Sequence, residues 1–76
     1  MTICDGRINE TYEVERLDIR EEILRRLEAL GINEGTKVTV LNRKRNGACI
    51  IKVRGTRWAV GRKIASGILV RVPADE

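Results

Sequence analysis

The side chains able to do chemistry in this 76-residue chain are few: two cysteines, Cys4 and Cys49, a single serine, Ser66, and no histidine. Without imidazole there is neither a His-based nucleophile relay nor a histidine metal site. Ser66 lies beside Gly67 with no base near it in sequence. The run Gly31-x-x-x-Gly35-Thr36 lacks the lysine and the spacing of a phosphate-binding loop. A transition-metal site needs a cluster of imidazole, carboxylate or thiolate, and the soft ligands here are only Met1, Cys4 and Cys49. Cys49 falls on a predicted core face, where free cysteine behaves as a small hydrophobe. Cys4 is expected to lie in a frayed terminus. The acids Glu21, Glu22 and Glu28 are interleaved with Arg20, Arg25 and Arg26, the pattern of an ion-paired solvent face. The inventory therefore predicts no enzyme and no catalytic, cofactor-binding or metal-ligating residue.

Charge offers more. The net charge of +4 divides unevenly. Residues 1–36 carry nine acids and five arginines, for −4, whereas residues 37–76 carry ten bases against Asp75 and Glu76, for +8. A basic second half favours an acidic partner. Apolar residues make up 42 % and charged residues 34 %, a composition that folds. A domain of this size buries about 60–65 % of its unfolded surface, enough for one modest core. No apolar run approaches the length of a membrane span, and the start lacks the basic-then-apolar build of an export signal. A cytoplasmic location is expected.

The elements that must position these residues follow from periodicity. Alternation over Glu10–Leu17 predicts a half-buried strand with Tyr12 and Val14 inward. Asp18-Ile19-Arg20-Glu21 has the form of a capping box. Ile19, Ile23, Leu27 and Leu30, with Leu24 beside them, form one apolar helical stripe that Gly31 ends. Gly35 then serves a tight turn before Lys37-Val38-Thr39-Val40. Asn46-Gly47 signals a two-residue hairpin, pairing Val40 with Val53, Asn42 with Ile51 and Lys44 with Cys49. A second hairpin at Gly55-Thr56 pairs Val53 with Trp58 and Ile51 with Val60. Both place Val38, Val40, Cys49, Ile51, Val53, Trp58 and Val60 on one face, with Trp58 as the main core anchor. Gly61–Gly67 predicts one helical turn, and Ile68–Val72 a last strand ended by Pro73. The fold class is mainly β with one helix: a small, partly open five-stranded barrel spanning 1–76 as one domain, with its core over about 10–72.

The run Arg26-Leu27-x-x-Leu30-Gly31-Ile32-x-x-Gly35-x-x-Val38-x-Val40 resembles the central motif of the FeoA family, small cytosolic proteins of bacterial ferrous iron transport. The likeness continues through Gly47, Ile51-Lys52-Val53-Arg54-Gly55, Ala59-Val60, Ala65 and Ile68-x-Val70. Where that family usually carries a glycine-containing turn before the first strand, this chain has Ile8-Asn9-Glu10. The resemblance implies an SH3-like barrel, no catalysis, and a partner in FeoB, the membrane permease with a cytosolic GTP-binding domain, which would hold the protein at the inner face of the membrane.

The predicted contact surface is the basic outer face of the three-strand meander: Arg43, Arg45, Lys52, Arg54 and Arg57 around Leu41 and Ile50, beside Lys37, Thr39 and Ala59. An apolar centre with a basic rim has the anatomy of a protein interface. The competing expectation is that barrel twist tucks Leu41 and Ile50 into a second small core beneath Ile32 or Leu69. The same cations could approach anionic lipid headgroups, and an open barrel edge could pair with a second copy. A nucleic-acid-binding or repressor-associated module is the alternative function. Tyr12 and Trp58 are the only aromatic residues, too few for a base-stacking platform, so no nucleic acid is expected.

Overall fold

A computed structural model describes residues 1–74; Asp75 and Glu76, counted in the charge of the second half, lie outside the described residues. The strands are β1 (Thr11–Leu17), β2 (Lys37–Arg43), β3 (Cys49–Val53), β4 (Thr56–Val60) and β5 (Ile68–Arg71). Helix α1 (Glu21–Ala29) joins β1 to β2, and the single turn α2 (Arg62–Ala65) joins β4 to β5. All pairings are antiparallel, in the order β4-β3-β2-β1-β5. β4 and β5 are the edge strands of the predicted open barrel, and β5 is met on its outer side by Met1 and Thr2.

The helix starts later than the capping box predicts. The Asp18 amide donates to the Gly67 carbonyl at 2.7 Å, which keeps the chain extended past the end of β1. Arg20 takes the N-cap position without a side-chain cap, and its carbonyl accepts the first helical bond, from Leu24 at 2.8 Å. Glu21 and Glu22 in the first turn favour the helix dipole. Leu27 is buried, and Ile19 and Ile23 pack against the core. Gly31, at φ +90°, turns the chain where a Cβ would be strained. Asn9 takes φ +71° before β1. Asparagine tolerates that left-handed geometry better than most residues.

Both hairpins differ in register from the sequence expectation. Lys44 N donates to Ala48 O at 2.8 Å, leaving a three-residue loop, Arg45-Asn46-Gly47, with Gly47 at φ +91°. This is a turn closed by a glycine bulge. Val40 faces Ile51 and, after a bulge at Leu41, Asn42 faces Ile50 and Arg43 faces Cys49. The β3–β4 turn centres on Arg54-Gly55, at φ +52° and +82°, so Val53 pairs with Thr56 and Ile51 with Trp58. Relative to expectation, β3 against β4 and the first part of β2 against β3 slip by two residues. An even slip preserves side-chain faces, which is why the predicted inward set still holds.

The core gathers Tyr12, Val14, Val38, Val40, Ile51 and Ile68 with residues from every strand, and Ile3 joins it at 0 % exposure. Ile3 belongs to a short 3-10 turn, Ile3–Asp5, within the terminus expected to be frayed. Met1 O accepts from Val70 N at 2.8 Å, Thr2 bridges Leu69, and the Tyr12 hydroxyl accepts from Arg7 N at 2.8 Å. These bonds tie the start of the chain to β5 and β1.

Cys49 is fully buried, and its thiol is pushed up to about 11, first by burial and then by the neighbouring Cys4. A thiol whose folded value exceeds its unfolded value leaves the unfolded state with fewer bound protons once pH passes 9.0, the ordinary value. Stability then falls with rising pH. Urea titrations between pH 9 and pH 11 should show a decline that is shallower in Cys49→Ala. An equal slope in both proteins would assign the loss to other groups.

Candidate partner-docking surface

The seven residues predicted for the contact surface do not share one face. Lys52 and Arg57 do: they are cross-strand partners on β3 and β4, both exposed. Ile50 lies on the same side, opposite Ala59, and Leu41 is the bulged residue of β2. Both apolar side chains are half-buried, and neither belongs to the core cluster or to the residues packed against it. Ile32, with Leu69 one of the two residues expected over a second small core, belongs to the main core.

Arg43 is a correction. The bulge at Leu41 shifts it by one position, so it pairs with inward-facing Cys49 instead of standing on the outer face. Its guanidinium bends over the barrel end, where Nη1 donates to the Cys4 carbonyl at 3.0 Å and to the Gly6 carbonyl. Arg43 is thus a clasp on the N-terminal turn. Arg45 is exposed in the hairpin loop, outside the strands. Arg54 sits in the next turn with its side chain over Gly31, where a Cβ would stand 3.3 Å from its Nε. Two of the five predicted cations therefore make a continuous outer face.

The surface also holds a groove that the sequence reading missed. It has a volume of about 230 Å³ and runs between α1 and the β4–α2 corner, lined chiefly by Ile23, Arg26, Leu30, Trp58, Ala59 and Ile64. Leu30, predicted as part of the buried stripe, is 40 % exposed and follows Ala29 as the C-cap of α1. Trp58 is half-buried and packs against the core from one side. Its Nε1 is enclosed without a hydrogen-bond partner. The predicted core anchor is therefore also a groove wall. β4 is an edge strand, so no neighbouring strand covers that flank. The one available signal was the proximity of Leu30 to the helix-ending Gly31.

The FeoA domain profile matches residues 1–72. The chain belongs to the FeoA family. A Methanocaldococcus jannaschii protein carrying the name Fe(2+) transport protein A is 39 % identical over 57 residues, covering 75 % of this chain and 68 % of that one. The solution structure of a Chlorobium tepidum FeoA protein superposes with a TM-score of 0.88 at 28 % identity, covering all of this chain and 74 % of that one. The Stenotrophomonas maltophilia FeoA, crystallised with zinc and described as a prokaryotic SH3 domain protein, gives 0.78 at 26 % identity over 93 % of this chain and 89 % of that one. A manganese-dependent transcriptional repressor shares the fold at a TM-score of 0.86 and 23 % identity, with 41 % of that chain covered. That last likeness is one of fold alone.

This FeoA protein therefore has the expected SH3-like architecture and belongs to a family associated with ferrous iron transport. Among the described residues no helix is long and apolar enough to cross a membrane. Among the described residues no three or more His, Cys, Asp or Glu side chains gather as a metal site. What the FeoA surface presents is an apolar groove with Arg26 at its rim, beside an edge strand bearing Arg57.

Proposed function

We propose that this FeoA protein is a non-enzymatic accessory subunit of ferrous iron uptake that docks on the cytosolic part of the permease FeoB. The α1–β4 groove is the observation that carries the reading. A soluble domain of this size with a modest core gains nothing in stability by leaving Leu30 and one flank of Trp58 to water. An apolar side chain from a partner would cover both. The occupant is an apolar segment of FeoB flanked by acidic residues, because the groove is rimmed by Arg26 and β4 presents Arg57 next to Lys52. The charges steer encounter, and the groove sets the lifetime of the complex. On this reading the protein is cytoplasmic and peripheral to the membrane through its partner, and it need not hold the ion it helps to move.

The test is binding of the full chain to purified FeoB cytosolic domain. Reversing the two outer-face cations, Lys52→Glu with Arg57→Glu, should slow association about tenfold at low salt while leaving the melting temperature nearly unchanged. Absence of any binding by the parent protein defeats the docking proposal. Binding with an unaltered association rate in the double variant removes the outer face from it and leaves the groove.

A further inference from the structure

Cys4 and Cys49 are remote in sequence and adjacent in space. Cys49 opens β3 opposite Arg43 and is 0 % exposed. Cys4 lies in the N-terminal 3-10 turn, half-buried, packed against the core that contains Cys49. Cys4 is the neighbouring group that, after burial itself, most disfavours the Cys49 thiolate, as a thiol close to it must. Their meeting is fixed by bonds on both sides of the turn. Arg43, the cross-strand partner of Cys49, donates to the Cys4 carbonyl, and Met1 and Thr2 are held to β5. Neither sulfur lines the docking groove. A buried cysteine alone is an inert core residue. A reachable thiol with a second thiol held against it has the arrangement of a redox-sensing pair.

We propose that Cys4 and Cys49 form a reversible intramolecular disulfide on exposure to a hydroperoxide, which makes the pair a redox modification site of this protein. Accessibility orders the two steps. Cys4, the half-buried member of the pair, loses its thiol proton and its sulfur attacks one peroxide oxygen; an S–O bond forms, the O–O bond breaks, and the released hydroxide takes up a proton to leave as water. Cys49 then gives up its proton and attacks the Cys4 sulfenic sulfur. An S–S bond forms, the S–O bond breaks, and a second water leaves. Overall, hydrogen peroxide is reduced to two waters while the two thiols lose two electrons and two protons. Burial and Cys4 disfavour the Cys49 thiolate, and the Arg43 guanidinium opposes them. Arg43 thus both positions Cys4 and favours the anion that closes the bond. The product staples the N-terminal turn to β3.

The experiment treats the reduced full-length chain with a small molar excess of hydrogen peroxide. The expected product is a monomer with no free thiols after denaturation, lighter by two hydrogen atoms, restored by dithiothreitol. Because the crosslink closes a long loop, its melting temperature should rise by about 10 °C or more. Cys4→Ser should keep its buried Cys49 thiol at the same dose. Cys49→Ala should divert Cys4 to sulfinic acid or to an intermolecular dimer. Persistence of both thiols in the parent, a Cys4-linked dimer, added oxygen on Cys4 beside an intact Cys49, or a fall in melting temperature on oxidation would each overturn the proposal.

Discussion

Gly67→Ala is expected to melt more than about 10 °C below the parent protein. Gly67 is buried at the junction of α2 and β5. A Cβ there would stand 2.4 Å from the Asp18 carbonyl oxygen and 2.7 Å from Ile19 Cγ1. Backbone cannot yield as a flexible side chain can, and the same two strands are joined by the Asp18 N–H bond to the Gly67 carbonyl at 2.7 Å. Relieving the clash means moving Asp18 away and weakening that bond. Overpacking of this kind costs about 1–3 kcal/mol, and a buried hydrogen bond adds about 1 kcal/mol. Against a total stability of roughly 4–11 kcal/mol for a domain this size, that is a large share. Each kcal/mol lowers the melting temperature by about 4–8 °C at this length. Thermal unfolding followed by circular dichroism decides the matter, and a melt within about 2 °C of the parent would show that the β1–α1 corner can move freely.

The same corner shows where sequence was informative and where it was not. Gly67 was legible only as the boundary of a short helical turn, because its role depends on Asp18, which approaches through tertiary structure. Element types and faces were legible because period-2 and period-3.6 patterns are local. The predicted inward set of the meander survived two wrong registers, since those slips were even. The exception is instructive: the bulge at Leu41 adds one residue, and a single residue inverts a face. Arg43 consequently belongs to the barrel end and not to the outer sheet. Nothing in Leu41-Asn42-Arg43 announces a bulge, which arises where two strands of unequal path must stay paired. The N-terminal turn was missed for a related reason. Ile3 and Cys4 have no helical or strand period around them, and their placement comes from contacts with β5 and α2 and from the Arg43 bond to the Cys4 carbonyl. The groove was missed because exposure of Leu30 and Trp58 depends on what fails to cover them.

Leu30→Glu is expected to weaken binding to the FeoB cytosolic domain by tenfold or more while costing the fold little. Leu30 is already 40 % exposed and stands at the C-cap of α1. A carboxylate there opposes the helix dipole by about 0.3–1 kcal/mol, a tolerable loss. Docking would bury the rest of the side chain. Full burial of a leucine is worth about 1.5–3 kcal/mol, so the part still exposed contributes about 1 kcal/mol to the complex. Introducing an ionised group into an apolar groove adds a desolvation cost of at least about 1 kcal/mol even after partial relaxation toward Arg26. Together these exceed the 1.4 kcal/mol that corresponds to about tenfold in affinity. The kinetics separate the two parts of the surface. Reversal of Lys52 and Arg57 should act on association and fade as salt screens the charges, whereas Leu30→Glu should act on dissociation and persist at high salt. If Leu30→Glu binds as tightly as the parent at every ionic strength while its melt is unchanged, the groove is no part of the docking surface.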